Sequence, residues 1–553
     1  MSLTDLLFLL ALVWSVIYAI KYALNNHSSS LLPSYTRANA GLARRSGVFS
    51  DTTVTVHSLY LRVQTTAWNA YHDTLANKLS RRGRVLAAVL RGFYDIGTVA
   101  GMLGMLLSLG FLAWTCAGYA LLLARKVIAP PGMGMPLEVG GFVKRGLEEG
   151  MGGESGESGL GAFGVTPIIP GVTVPLNHFP IILVAVFVSQ IVHELGHAIA
   201  AAVDAVPVSS TGVSLIVCLP AAFVSLSTAV FDTLSPRARS RMVAAGPWHN
   251  LVFWGVLLFF GWVVGDKGWG LVGYQDVSGL GKVVVRVEAD SPLYGYIPTG
   301  SLVTKLDDTS LGTKDGKKDI WTDYLTGSNR EPVLGWCVGR EQFGENRLNL
   351  RVEWEVNVSA LRCFQALDPP GATGCPDPIP VHNAKYSKRC TSSDGCDTTS
   401  ICVARKERLL TLTYLGPSGG IESTVTWSGP VNEVWEQMEV GKWMPRITLL
   451  PVWLPISFGV FWEYLKMATL SLYFLNLLPL PHLDGTKLLS SVLDMGVQEE
   501  YSGEEYDIEA LEDSGRHERV RSMTRWKSRI ERYIPLMVIW LCVACILAGI
   551  IHL

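Results

Sequence analysis

The chain has 553 residues, of which 49% are hydrophobic and only 17% are charged, and its mean hydropathy is +0.29. This balance excludes an ordinary soluble protein and predicts a membrane protein. The formal net charge of −2 and the pI near 6.6 leave no broad basic surface, which argues against direct binding of nucleic acid.

Six apolar runs are long enough for membrane helices, which need roughly 20 residues each. In chain order they cover 3–24, 95–124, 179–203, 249–272, 452–478 and 533–553. The first run carries Asp5 and no small-residue cleavage site follows it, so we interpret it as an anchor and not as a cleaved signal peptide. The predicted fold is a polytopic α-helical membrane protein with about six spans.

The stretch at 208–230 is less apolar than these runs. It is rich in Ser, Thr and Val and is broken by Gly212 and Pro220, which predicts a re-entrant or strand-like segment. Such backbone is tolerated at membrane depth only against protein or a watery cavity.

Lysine and arginine cluster in three connecting segments, at 25–94, just before 249, and at 499–532. The positive-inside rule predicts that these segments are cytosolic and that 125–178 and 273–450 are luminal. The expected order is N-terminal spans with a basic cytosolic loop (1–124), a luminal Gly/Ser-rich loop (125–178), a first part of the membrane core (179–272), a luminal β-rich domain (273–450) with a Cys-rich insertion (330–410), a second part of the membrane core (451–490), a charged cytosolic loop (491–532) and a last span (533–553).

The predicted luminal domain opens with GKVVVRVEADSPLYGYIPTGSLVTKLDD (281–308), in which two β-rich runs are separated by a Ser-Pro break. This pattern resembles a PDZ domain. A sequon at Asn357 is expected to carry glycan in the lumen, whereas the sequon at Asn26 would face the cytosol and stay bare.

Ten cysteines fall into two groups. Four lie in apolar segments and are interpreted as small hydrophobic residues: Cys116, Cys218, Cys542 and Cys545. The remaining six lie in or near the insertion, and this even number predicts a luminal disulfide framework with fifteen possible pairings. They are Cys337, Cys363, Cys375, Cys390, Cys396 and Cys402. Their spacing lacks the CxxC pair of a zinc knuckle.

The stretch IVHELGHAIA (191–200) places ionisable side chains inside the third apolar run. His193 and His197 are four residues apart and share one face of a helix, and Glu194 follows the first of them. Buried ionisable groups in a span are costly unless they pair or bind something. The HExxH pattern therefore predicts two zinc ligands, with Glu194 near enough to a metal-bound water to take its proton.

A catalytic zinc site needs a third protein ligand, and the helix offers none directly downstream. The candidates at membrane-associated positions are Asp204, Asp232, His249, His482 and Asp484. Asp204 is seven residues beyond His197, roughly 10 Å along a helix axis, which is too far to share one ion.

The stretch NLLPLPHLDG (476–485) distinguishes these candidates, because its prolines break an apolar run and can direct Asp484 back toward the membrane. HExxH in one span and N-x-x-P-x-P-x-x-D-G in a later one together resemble the site-2 protease family of intramembrane metalloproteases, and most closely its eukaryotic branch. AAGPWHN (244–250), the PDZ-like module, its Cys-rich insertion and the Gly/Ser-rich loop also stand in the family's order. The resemblance covers most of 179–490.

The resemblance implies that His193, His197 and Asp484 hold one Zn²⁺ and that Glu194 is the general base. Asn476 and Asn250 are candidate support residues, either at the active site or at a helix end or turn. The implied substrate is the transmembrane helix of a membrane-tethered protein such as a transcription factor precursor, cut in the lipid bilayer of the Golgi or endoplasmic reticulum. The active site is expected toward the cytosolic side.

Two other functions fit part of the pattern. A CAAX-type prenyl protease is also a membrane HExxH zinc enzyme, but it needs neither a luminal Cys-rich domain nor a late D-G motif. A non-catalytic transporter or receptor with an incidental metal site would keep its function after Glu194→Gln.

Overall fold

The computed structural model describes residues 3–27, 52–81, 83–128, 174–265, 267–313, 319–327, 334–345, 364–367, 372–374, 388–405, 410–417, 420, 422–447, 449–502 and 514–552. The chain forms two compact units. The first comprises Met1–Val263 and Val460–Leu553, and the second comprises Val264–Gly459.

The helices are α1 (Leu3–His27), α2 (Asn69–Arg81), α3 (Arg84–Ile128), α4 (Phe179–Val203), α5 (Thr228–Asp232), α6 (Pro236–Val263), α7 (Lys267–Val272), α8 (Ile320–Thr326), α9 (Arg340–Glu345), α10 (Val431–Gln437), α11 (Leu454–Leu477), α12 (Asp484–Ser502) and α13 (Ser514–His552). The strands are β1 (Thr52–His57), β2 (Tyr60–Thr65), β3 (Val208–Ile216), β4 (Leu219–Leu226), β5 (Tyr274–Asp276), β6 (Lys282–Val287), β7 (Leu302–Leu306), β8 (Thr309–Ser310), β9 (Gly335–Gly339), β10 (Phe364–Ala366), β11 (Thr373–Gly374), β12 (Arg389–Cys390), β13 (Ser400–Arg405), β14 (Leu410–Leu415), β15 (Glu422–Trp427), β16 (Met438–Gly441) and β17 (Trp443–Pro445).

The chain is a polytopic membrane protein. Four of its described helices are long and apolar enough to cross a bilayer, with spans at Arg84–Leu121, Leu176–Val203, Pro236–Val263 and Ser522–Leu547. The apolar part of α1 is shorter, at Leu7–Ala23. The run at 452–478 forms α11 but is not among the four, and it carries Glu463 and Lys466.

One predicted span has different bounds in the structure. The predicted span 249–272 is replaced by α6, which begins at Pro236 and ends at Val263, and by the separate short helix α7. The apolar run does not reveal this start, because the helix begins with polar residues. Proline is a good first helical residue, and Pro236 occupies that position. The described part of the predicted charged loop 491–532 is helical. Helix α12 continues to Ser502, and α13 begins at Ser514.

In the first unit α4 packs closely against α6. A side chain at Gly196 would place its Cβ 2.5 Å from the backbone oxygen of Ala245, so only glycine permits this approach. Helix α11 joins the group through a hydrogen bond between the buried hydroxyls of Ser189 and Thr469, 2.8 Å apart. These contacts hold the middle of α4 between two neighbouring helices.

The first unit also contains an antiparallel sheet in the order β1-β2-β3-β4. The strand-like prediction for 208–230 is confirmed over β3 and β4. The predicted basic loop at 25–94 instead contains β1, β2, α2 and the start of α3 in its described part. Helix α1 attaches to the turns of this sheet, because Trp14 Nε1 donates to the oxygen of Val217 and the Tyr18 hydroxyl donates to that of Ser58, each over 2.8 Å.

The second unit is rich in strands. Its main sheet has the order β15-β14-β7-β6-β16, with β8 paired to β7, and its core includes the fully buried Val303, Leu306 and Leu412. A second sheet, β11-β10-β13-β9-β12, is formed by the described part of the Cys-rich insertion, and β17 pairs with β5.

Four of the six insertion cysteines form the disulfides Cys337–Cys396 and Cys390–Cys402. Cys363, Cys375 and the sequon at Asn357 lie outside the described residues, as does most of the 125–178 loop.

The interpretation of all four apolar-segment cysteines as small hydrophobic residues is wrong for two of them. Packing of α3 against α13 brings Cys116 and Cys545 into a third disulfide, whereas Cys218 and Cys542 are free.

Candidate metal centre

Three side chains predicted from distant parts of the sequence converge in the first unit. His193 and His197 lie one turn apart on α4, and Asp484 is the first residue of α12. The Nε2 atoms of the two histidines are 3.2 Å apart, and they lie 3.0 and 3.1 Å from Asp484 Oδ2. All three side chains are shielded from solvent, with at most 17% of each exposed.

The D-G motif explains how Asp484 reaches this position. After α11 ends, the chain makes two tight turns, with Leu478 N donating to Leu475 O and Leu483 N donating to Leu480 O. A Cβ at Gly485 would collide with the backbone oxygens of Leu477, the last residue of α11, and of Leu478. Glycine therefore lets α12 begin directly against the end of α11, with Asp484 at its first turn.

The donor set fits zinc. Imidazole nitrogen and carboxylate oxygen are zinc ligands, and tetrahedral bonds of about 2.0–2.1 Å separate ligand atoms by roughly 3.3 Å, close to the distances observed. Gly246 on α6 supplies the space, because a Cβ there would lie 2.7 Å from Nε2 of His193 and would also contact Nε2 of His197. Three protein ligands would leave one zinc position open, as in catalytic sites.

Each histidine has a second polar contact on α6. His197 Nδ1 donates to the backbone oxygen of Met242 over 2.9 Å, which leaves Nε2 for a metal. His193 Nδ1 lies 3.3 Å from the side-chain amide of Asn250, a residue with no exposed surface. Both rings are thus oriented by α6.

Glu194 faces the sheet edge. Its Oε2 accepts a hydrogen bond from the backbone N–H of Val224 on β4, over 2.9 Å. One turn earlier, Gln190 Oε1 accepts from the N–H of Ala222, over 3.2 Å. Sequence reasoning did not identify Gln190, although its spacing of four residues from Glu194 places both on one helix face.

The rival ligands have other partners or positions. Asp204 faces two arginines, with Oδ1 at 3.6 Å from Arg91 and 3.4 Å from Arg241. His249 Nε2 lies 3.1 Å from the hydroxyl of Tyr94. The exposed Asp232 and His482 are not in the cluster, and His482 occupies the turn before α12 with a φ of +71°.

Asn476 lies in the last turn of α11. Its side chain makes no hydrogen bond to His193, His197 or Asp484 within the described ranges. The described residues contain one further cluster of metal-type side chains, Cys337, Cys390 and Cys396, and its sulfurs belong to the two disulfides of the second unit.

Comparison with known proteins identifies a matching family and a curated relative. A family model described as Peptidase family M50 matches residues 181–507, which is more than half of the chain and includes all three clustered side chains. Over 183 residues the chain is 30% identical to the membrane-bound transcription factor site-2 protease homolog of Arabidopsis thaliana. That alignment covers 31% of this chain and 35% of the relative, so the match spans about a third of the relative's length.

Proposed function

Because the chain belongs to peptidase family M50, we propose that it is a zinc metalloendopeptidase that cuts peptide bonds within the membrane-spanning helices of other proteins. The observation that carries this proposal is the convergence of His193, His197 and Asp484 in a unit with four helices of membrane-spanning length. The family match favours a peptidase over the CAAX-type prenyl protease and over a transporter or receptor with a metal site.

The chain's own residues suffice for the proton transfers of peptide hydrolysis. Zinc, when bound by His193, His197 and Asp484, would supply Lewis-acid chemistry at a carbonyl and would acidify water. Glu194 accepts a proton from the attacking water and returns it to the leaving amine. The N–H of Val224 holds Oε2 of this carboxylate and leaves Oε1 available to take the proton.

The substrates proposed here are membrane-tethered proteins, among them transcription factor precursors. The name of the Arabidopsis relative supports this class, since it describes that protein as a homolog of a membrane-bound transcription factor site-2 protease. A substrate helix must unwind before its amide can be reached, so Gly, Pro or Asn near the cut should help.

The same proposal includes a location and an orientation. The protein would lie in the Golgi or endoplasmic reticulum with α1 and α11 completing six spans, and its active site would face the cytosolic side. Two disulfides in the second unit support a luminal place for it, because disulfides persist in oxidising compartments. Its main sheet is the proposed PDZ-like module.

Substitution of the general base tests the enzymatic proposal. Glu194→Gln should lower cleavage of a tethered reporter in proteoliposomes by about 10²–10⁴-fold while the zinc content stays unchanged, because the lost group moves a proton and holds no metal. Glu531→Gln is the matched control, since Glu531 pairs with Lys527 on α13. Cleavage by Glu194→Gln at the wild-type rate would contradict the proposal.

A second pair of variants tests the ligand set. Asp484→Ala should lose both zinc and activity. Asp204→Ala should keep zinc and lose about 1–3 kcal/mol of stability, because the ion pairs of Asp204 with Arg91 and Arg241 are removed. Zinc content is measured by metal analysis of purified protein. Full zinc and full activity in Asp484→Ala would reject this ligand, and His482 would be tested next.

A further inference from the structure

Asn250 occupies a position from which it can control one metal ligand. It lies on α6 four residues beyond Gly246, so both face α4 on the same side of the helix. Its side chain has no solvent exposure, and its amide is 3.3 Å from His193 Nδ1. Within the described residues the other end of the amide, Oδ1, is buried without a hydrogen-bond partner.

The chemistry of imidazole decides which end of this amide must face the ring. A neutral histidine carries one proton, so a ring that binds metal through Nε2 carries its proton on Nδ1, and Nδ1 must then donate. An Asn NH₂ group facing Nδ1 would instead require Nδ1 to accept, which moves the proton to Nε2. Rotation of the amide by 180° exchanges its two nearly isosteric ends and presents Oδ1 as the acceptor.

Either amide orientation leaves one end unpaired, so hydrogen-bond counting alone does not choose between them. A metal bound through both Nε2 atoms does. His197 Nδ1 faces the backbone oxygen of Met242, which can only accept, so the neutral His197 ring has its lone pair on Nε2. When His193 is in the same state, two nitrogen lone pairs and Asp484 Oδ2 converge within 3.2 Å without a hydrogen between them, and a cation stabilises that arrangement.

We propose that Asn250 is a positioning residue: its Oδ1 accepts the Nδ1 proton of His193, fixes the tautomer that leaves Nε2 free, and thereby strengthens zinc binding. This inference rests on the proposed zinc site. In this arrangement α6 accepts the Nδ1 proton of both histidines. The backbone oxygen of Met242 accepts from His197, and the side-chain oxygen of Asn250 accepts from His193.

Three substitutions at this position separate an acceptor from a packing role. Asp can accept but not donate, Leu has a similar volume and does neither, and Ala removes the group. Zinc affinity of the purified full-length protein is measured by competition with a chelator. Asn250→Asp should bind zinc within about 3-fold of wild type or more tightly, whereas Asn250→Leu and Asn250→Ala should bind it 10–100-fold more weakly.

Thr469→Val is the matched control, because it removes a buried hydrogen bond to α4 at Ser189, one turn before His193. It should leave zinc affinity unchanged even if it lowers the thermal midpoint. Equal zinc affinity in Asn250→Leu, Asn250→Ala and wild type would overturn the inference, and so would an Asp variant as weak as Leu. A wild-type chain that binds no zinc would overturn the proposed function as well, which distinguishes the two failures.

Discussion

Gly246 is the residue at which α6 leaves room for an ion. Two imidazoles and a carboxylate can bind zinc only if no fourth group occupies their centre. The hydrogen atom of Gly246 is the smallest side chain possible there, and a methyl group would contact both Nε2 atoms. The glycine therefore contributes to metal binding although it supplies no ligand.

Gly246→Ala should abolish zinc binding, because its Cβ would lie 2.7 Å from His193 Nε2 and either displace the ring or occupy the ion's place. Gly255→Ala on the same helix is the control, since no atom lies within 4 Å of a Cβ at that position. Both proteins are purified and analysed for metal. An alanine variant at 246 with one zinc per chain would show that the site is not where we place it.

The two histidines could be predicted from the sequence because helical periodicity alone puts residues four apart on one face. Asp484 needed the proline-broken motif and a family resemblance, since no local rule joins residues 287 positions apart. Met242 and Gln190 were not predictable. Met242 acts through its backbone oxygen, which every residue has, and Gln190 acts on a strand whose position the sequence does not state.

At the scale of elements, α4 and β4 are joined by side chains and not by a backbone ladder. β4 pairs with β3 on one edge, and on its other edge the N–H groups of Ala222 and Val224 donate to Gln190 and Glu194. The strand thus positions the proposed general base, Glu194, through Val224. Gln190 binds the same strand two residues earlier, at Ala222. Loss of either contact should let β4 move relative to α4.

Gln190→Leu should lower the cleavage rate about 5-fold and leave zinc content unchanged, because one hydrogen bond of about 1 kcal/mol that positions β4 is lost. Gln190→Glu keeps an acceptor at the same place and should retain most of the activity. Rates are measured with the reporter used for Glu194→Gln. If the Leu and Glu variants have the same rate as wild type, the contact has no part in catalysis.

The membrane helices could be located from apolar runs, although their ends could not. The start of α6 contains polar residues that become helical through packing, and Ser240 there is buried. The sequence pattern did not predict β1 and β2, for another reason. Their hairpin is completed by β3, about 150 residues later in the chain, and short strands with a distant partner give little local signal.

At the scale of the molecule, the first unit is closed by a link between its early and late helices. Cys116 on α3 and Cys545 on α13 are bonded across a sequence separation of 429 residues, with their Cα atoms 5.3 Å apart. The last helix is therefore covalently joined to the rest of the first unit.

Removal of this link should destabilise the first unit. Cys116→Ala combined with Cys545→Ala should lower the thermal midpoint in detergent, because a disulfide across a long loop typically contributes about 2–4 kcal/mol. Cys542→Ala is the matched control, since Cys542 is a free cysteine on the same helix. Mass spectrometry of the unreduced wild-type chain should recover the linked peptide, and its absence would reject the bond.

Along the sequence, the ligands of the proposed zinc site flank the second unit, since His197 precedes Val264 and Asp484 follows Gly459. A ribosome adding about 5–20 residues per second needs roughly 15–60 s to pass from His197 to Asp484. During that interval the nascent chain holds two imidazoles and a general base but no complete site. The proposed zinc site is therefore incomplete until translation has passed Asp484.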